Sequence, residues 1–191
     1  IWEKKGRSLL IIISLIIATT VFVLNLTMPN ELVIKVQETL RSIYGKTDMG
    51  MGTVEPFSIN DVNVGNEKIT YVGVSELDIT IDDKQAIVFG LDIDKSVDMK
   101  MLGADIPSLN KNEVVINQKQ ADEYGYKVGD LIKFTIENQN NEFKIVKIVS
   151  KKGLTALDLD CPIFIANLET VNTIRNIETE KYDTLYIDVE N

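Results

Sequence analysis

Residues 113–136 read EVVINQKQADEYGYKVGDLIKFTI, and the punctuation of this stretch decides the fold. Glu113 to Ile116 is a short, β-branched run with the composition of a strand. Asn117 stands where a helix would be capped, and Gln120 follows as the third helical residue, a capping-box pattern. The helix QKQADEY turns Ala121 and Tyr124 inward and stops at Gly125, where a helix end wants the left-handed conformation. Gly129–Asp130 makes a tight turn into Leu131 to Glu137, where Ile132, Phe134 and Ile136 share one face.

The pattern continues on both sides. Downstream, a polar loop at Asn138 to Asn141 leads into a strand from Phe143 to Val149. Pro162 to Ala166 reads as a strand, Asn167 caps the helix LETVNTIRNI, and Tyr182 to Val189 is a final strand. Upstream, Asp92 to Asn112 is irregular and polar, broken at Gly103 and Pro107, and is predicted to be a surface excursion and a candidate functional loop. Asp78 to Ile81, the turn Asp82–Asp83 and Gln85 to Leu91 read as a hairpin. Lys68 to Val74 is β-rich, and Thr53 to Phe57 is predicted to leave a bend at Gly50 and Gly52. These elements predict an α+β domain with a mainly antiparallel sheet and short helices.

The N-terminal part is different in kind. Leu9 to Leu26 reads LLIIISLIIATTVFVLNL, 18 residues without charge, Gly or Pro. As a helix it would span about 27 Å, close to the hydrocarbon thickness of a bilayer. Lys4, Lys5 and Arg7 precede it and no basic residue follows until Lys35, which predicts a cytoplasmic N-terminus and an extracytoplasmic remainder. A cleaved signal peptide is the rival, with a shorter apolar core and a small-residue cleavage site that LTMPN does not supply. A buried helix of a soluble domain is the third reading. From Asn30 to Tyr44, apolar Leu32, Val33, Val36, Leu40 and Ile43 fall at helical spacing, with Asn30 as cap and Gly45 as stop. A continuous helix kinked at Pro29 is predicted. The resulting division is a basic flank at 1–8, a transmembrane helix at 9–28, a stalk helix at 29–45, and an extracytoplasmic domain at 46–191, as one body or two subdomains. The chain opens on Ile1 and reads as a segment of a longer protein.

Composition narrows the function. The 191 residues carry a net charge of −9. An acidic outer domain repels phosphate backbones, so nucleic acid is not an expected partner. Neither does the sequence show a basic patch to seat the domain on anionic lipid. Cys161 stands alone, so no internal disulfide forms. The absence of histidine removes His-based catalysis and His-ligated zinc.

The order of parts is similar to the extracytoplasmic core domain of permeases in the MacB/FtsX-like ABC transporter superfamily. The resemblance is carried by WEKKGRSLLIII at the first membrane helix, FGLDID at 89–94, the stretch 113–136 and the return strand FKIVKIV. Ala121, Gly125, Lys127, Val128, Gly129 and Asp130 match the family's helix–turn–strand motif. The physics of Ala121, Gly125, Gly129 and Asp130 makes them structural-motif residues rather than ligand contacts. The resemblance implies a non-catalytic permease subunit. A cytoplasmic ABC ATPase drives its membrane helices, and the outer domain passes that motion to a substrate or partner. It further implies a permease dimer in membrane lipid, and an extracytoplasmic adaptor or cell-envelope protein as partner. A single-helix sensor or ligand-binding ectodomain is the alternative from another class.

No other motif carries chemistry. Asp92, Asp94 and Asp98 fail the EF-hand, because the sixth position is Val97 and the twelfth Gly103. Asp158 and Asp160 alternate with Leu157 and Leu159 like a half-exposed strand. Cys161 reads as a buried small hydrophobe. There is no Walker motif, so no catalytic, metal or cofactor residues are expected.

Overall fold

The computed structural model describes residues 32–63 and 68–189. The chain divides into two compact units, Ile1–Leu40 and Arg41–Asn191. Among the described residues no helix is long and apolar enough to cross a membrane. The apolar run Leu9 to Leu26, the kink at Pro29 and the cap at Asn30 lie outside the described residues. Residues 32–44 are helical (α1), and Leu32, Val33, Ile34, Val36 and Leu40 of the first unit are all exposed.

The second unit is built on one eight-stranded sheet. Its strands are β1 (Met49–Phe57), β2 (Ile69–Ile81), β3 (Lys84–Leu91), β4 (Glu113–Asn117), β5 (Leu131–Ile136), β6 (Gln139–Val149), β7 (Ile163–Asn167) and β8 (Tyr182–Val189). The spatial order is β1-β8-β2-β3-β7-β4-β6-β5. The pairs β3·β7 and β4·β6 are parallel and the rest antiparallel, so the α+β, mainly antiparallel reading holds. Three short helices decorate it: α2 (Ile93–Asp98), α3 (Gln118–Tyr124) and α4 (Leu168–Ile174).

Side chains alternate across a strand, and here both faces are buried. Val115 of β4 and Ile163 and Ile165 of β7 enter one core with Val72, Val74 and Leu91. Their neighbours Val114, Ile116, Phe164 and Ala166 enter a second core with Leu77, Ile79, Phe134 and Phe143. The first core takes in α2 and the chain that follows it; the second takes in Ala121 of α3 and Val171 of α4.

Several local expectations are corrected. Gly50 and Gly52 lie within β1, paired with Tyr186 and Thr184, rather than in a bend. A strand neighbour fixes an extended backbone that glycine adopts as well as any residue. The irregularity comes later, between Gly52 and Phe57, and leaves Val54 fully exposed. The two strands foreseen at Lys68 to Val74 and Asp78 to Ile81 are one, β2, because β8 pairs its first half and β3 its second. Both hairpin turns are two-residue loops with both residues at positive φ, Asp82–Asp83 and Glu137–Asn138. The second starts β6 at Gln139, so the expected loop at 138–141 is mostly strand.

The largest correction concerns Asp92 to Asn112. It is no surface excursion. Asp92 caps α2 through Lys95 N–H, at 3.1 Å, and Met99, Met101, Leu102, Ile106 and Leu109 are buried in the first core. Met99, Leu102, Ile106 and Leu109 fall at helical spacing, but Gly103 and Pro107 interrupt the run and the chain beyond α2 is not helical, so the pattern did not reveal them. In α3 the inward residues are Gln120 and Ala121, while Tyr124 is half-exposed. Residues 157–160 form no strand, and Asp158 instead meets Lys119 at 2.7 Å and Lys151 at 3.8 Å. Cys161 is half-buried rather than fully buried.

Candidate functional site

The segment from Arg41 to Asp48 is where the chain enters the folded unit, and it is fastened at every step. Gly45 closes the helix with its N–H on Arg41 O, at 3.0 Å, and takes φ of 64°. A Cβ here would lie 2.0 Å from Met99 O, so no other residue fits without moving backbone. Lys46 N–H donates to that same Met99 carbonyl at 2.8 Å. Tyr44 stacks on Tyr186 of β8, with ring centroids 5.1 Å apart, and Ile43 packs on the first core. Asp48 N–H donates to Ile187 O at 2.9 Å, and its carboxylate accepts from Val189 N–H at 3.1 Å. Burial, together with Tyr44, pushes the Tyr186 phenol far above its ordinary value, so it stays neutral.

The receiving surface is the turn after α2. Met101 and Leu102 N–H both donate to Ser96 O, and Ser96 Oγ donates to Asp92 O at 2.5 Å. From the other side comes Gly153, at φ of 59°, whose Cβ would meet Met101 O at 2.0 Å. Leu154 N–H donates to Met101 O at 2.8 Å. The loop beyond is held by Asp105, whose carboxylate accepts from Ser150 N–H at 2.8 Å and Ser150 Oγ at 3.1 Å. Burial opposes its charge, but the Ser150 bonds and Lys147 outweigh that and hold Asp105 below the usual carboxylate range.

The four motif residues lie elsewhere, together at one end of β5 and β6. Ala121 is buried in the second core. Gly125 is left-handed at φ of 78°, and its N–H donates to Ala121 O. Gly129, at φ of 98°, donates to Ile145 O at 2.7 Å, while Asp130 O accepts from Ile145 N–H at 3.0 Å. Asp130 Oδ2 also accepts from Lys127 N–H at 2.8 Å. Nothing lies within 4 Å of a Cβ at either glycine. They shape the chain at the helix end and at the turn into β5.

Two polar constructions escaped the sequence. Gln120 does not complete the capping box on Asn117 N–H. Its Oε1 accepts from Asn117 Nδ2 at 3.0 Å and from Ile163 N–H at 3.2 Å, tying α3 to β7. Gln at the third helical position was the only signal for it. Arg175 grips Asp183 with both guanidinium nitrogens and donates to Ser75 Oγ at 2.7 Å, while Asp183 also accepts from Glu76 N–H at 2.7 Å. No local pattern marks that pair. Burial raises the Glu76 carboxyl, with Asp78 and Asp183 adding to it and Arg175 opposing.

For catalysis the inventory is sparse. Among the described residues no three acidic or Cys side chains gather to hold a metal. Burial, then Asp78, Asp160 and Glu76, push the Cys161 thiol up, away from the reactive thiolate.

Fold and site together define an extensively tied mixed-sheet domain whose most heavily fastened surface is the chain's own point of entry. No family model matches the sequence, and no curated protein does. Among solved structures the chain is similar to the extracellular domain of the noncanonic ABC-type transporter YknZ from Gram-positive bacteria. The identity is 15% and the TM-score 0.49, over 73% of this chain and 76% of that one. It is also similar to a domain of a protein described as a permease, from Porphyromonas gingivalis, with 12% identity and a TM-score of 0.36 over 70% and 60% of the two chains. These neighbours are of the class that the sequence motif resembles. At such identities and scores neither bears on what this chain does.

Proposed function

We propose that this chain is the first membrane helix, stalk and extracytoplasmic domain of a permease subunit in a MacB/FtsX-like ABC transporter, and that it does no chemistry itself. A cytoplasmic ATPase would move the membrane helices, with a second permease copy beside it in the bilayer. The outer domain would carry that motion to a substrate, an adaptor or another cell-envelope protein. The observation that supports the reading is the seat of residues 41–48. A tether needs slack, whereas here three hydrogen bonds and one ring stack fix the entering chain between the turn after α2 and β8. The connector Thr27–Met28–Pro29–Asn30 contains no Gly, unlike a flexible spacer.

The test is to insert Gly-Gly-Ser-Gly after Pro29 in the full transporter and to measure ATPase turnover and transport together. Loss of transport with ATPase turnover retained is the expected result. Unchanged transport would make the segment a passive tether and favour a membrane-anchored sensor or ligand-binding ectodomain.

A further inference from the structure

Residues 41–191 carry 26 acidic and 16 basic side chains. Among the cations of this unit, Lys95, Lys111, Lys119, Lys181 and Arg175 each meet a carboxylate. Around the Met99–Leu102 turn, cations gather with few such partners. Arg41 and Lys46 line one hollow with Lys100, and Lys100 lines a second, of about 570 Å³, with Lys151 and Lys152. Among the described residues no ion pair engages Arg41, Lys46, Lys100 or Lys152; Lys151 has Asp158 at 3.8 Å. Of the acids close by, Asp105 is hydrogen-bonded by Ser150, while Asp48 and Asp188 line the first hollow and not the second. The sequence showed no basic patch because these five residues come from three separate segments.

The floor of the second hollow is apolar, made by Val97, Leu102, Ala104 and Ala156. We infer that this hollow binds an anionic amphiphile, one with an acyl or alkyl chain on the Val97–Leu102–Ala156 floor and a phosphate or carboxylate head among Lys100, Lys151 and Lys152. The volume is that of a small-molecule site. A concave hollow admits a single chain and head, whereas a bilayer surface needs an exposed, outward-facing patch. The uncompensated lysines supply charge complementarity at the rim and the core side chains supply the apolar contact, so each half of the ligand has a matching half in the site. This inference stands apart from the transport reading and neither requires nor excludes it.

The test uses the full chain in nanodiscs of zwitterionic phosphatidylcholine. The probe is an alkyl phosphate with a photoreactive diazirine on its chain, and adducts are mapped by peptide mass spectrometry. Adducts should concentrate within 97–104 and 150–157. Two charge reversals, Lys100→Glu with Lys152→Glu, should cut labelling there roughly tenfold or more, at about 1 kcal/mol per lysine near an anionic head. Lys152→Glu alone should cut it in part, Lys144→Glu on β6 should leave it unchanged, and circular dichroism should show the folded spectrum throughout. Unlabelled dodecyl phosphate should compete, while inorganic phosphate and poly-glutamate should not. Scattered adducts, labelling indifferent to the reversals, or equal competition by phosphate or poly-glutamate would overturn the inference.

Discussion

Gly45 and Gly153, from distant parts of the chain, lie against carbonyl oxygens two residues apart, those of Met99 and Met101, so close that a Cβ on either would overlap them. Each sits at positive φ, and each is followed by a residue whose N–H donates to the carbonyl it touches. The turn after α2 is thereby clamped between the entering chain and the loop before β7.

Either glycine should therefore be intolerant of a methyl group. Gly45→Ala and Gly153→Ala each combine left-handed strain, about 1 kcal/mol, with a backbone overlap, and a loss of about 3 kcal/mol or more is expected. For a unit of this size that lowers Tm by roughly 6–12 °C. Gly129→Ala, with open space around its Cβ, should lose only the strain, about 1 kcal/mol. Thermal melts that rank Gly129→Ala as the worst of the three would refute the clamp.

Arg175 and Asp183 should be strongly coupled. Removing one leaves the other partly buried without its partner, so the two single changes to Ala, summed, are expected to destabilise more than the double change does. A double-mutant cycle in urea should return a coupling of about 1–3 kcal/mol. A coupling indistinguishable from zero would mean that the two side chains are held by their surroundings independently.

Two carboxylates should give opposite pH signatures. Asp105 is depressed, so its stabilisation is present above an unfolded value of about 4 and is lost as pH falls through the lower folded value. Asp105→Asn should cost about 1 kcal/mol at pH 7 and nothing at the acid end. Glu76 is raised, so the folded state holds its proton longer and stability falls as pH rises through the folded value. Glu76→Gln should be mildly stabilising at pH 7, and the gain should vanish on acidification below about pH 4. Denaturation midpoints of both variants across pH 3–8 check the signs.

Much of the domain was legible because its signals are local. Asn117 and Asn167 each cap a helix, Gly125 ends one, and Tyr182 to Val189 is the final strand. What stayed hidden depends on distant chain. Met99, Met101, Ile106 and Leu109 are buried because they cover one face of a sheet that is covered on both sides, in a stretch that Gly103 and Pro107 mark as broken. The parallel pairing of β3 with β7 joins segments that share no local mark. The seat of residues 41–48 was visible only as a helix stop at Gly45, since its receiving carbonyl lies in a stretch that read as surface loop. The cationic hollow was invisible for the same reason.

Gln120 offers the sharpest test of a role that the sequence half suggested. Gln120→Leu keeps the volume but strips Ile163 N–H of its side-chain acceptor inside the fold, at a cost of about 2 kcal/mol. Tyr124→Ala, on the half-exposed side of the same helix, should cost less. Equal midpoints for the two would show that α3 is held by its apolar face alone.

The strand order also sets a timetable. Among the described residues β1 pairs with β8 alone, and β8 also pairs the first half of β2. Made from the N-terminus onward, β1 waits for this mate until Tyr182–Val189 has been synthesised and delivered. Such long-range closure is slow, and it leaves an unpaired edge open to wrong partners in the meantime. Newly made protein therefore passes through a vulnerable interval that ends when β8 slots between β1 and β2, and a truncation ahead of β8 leaves that interval permanent.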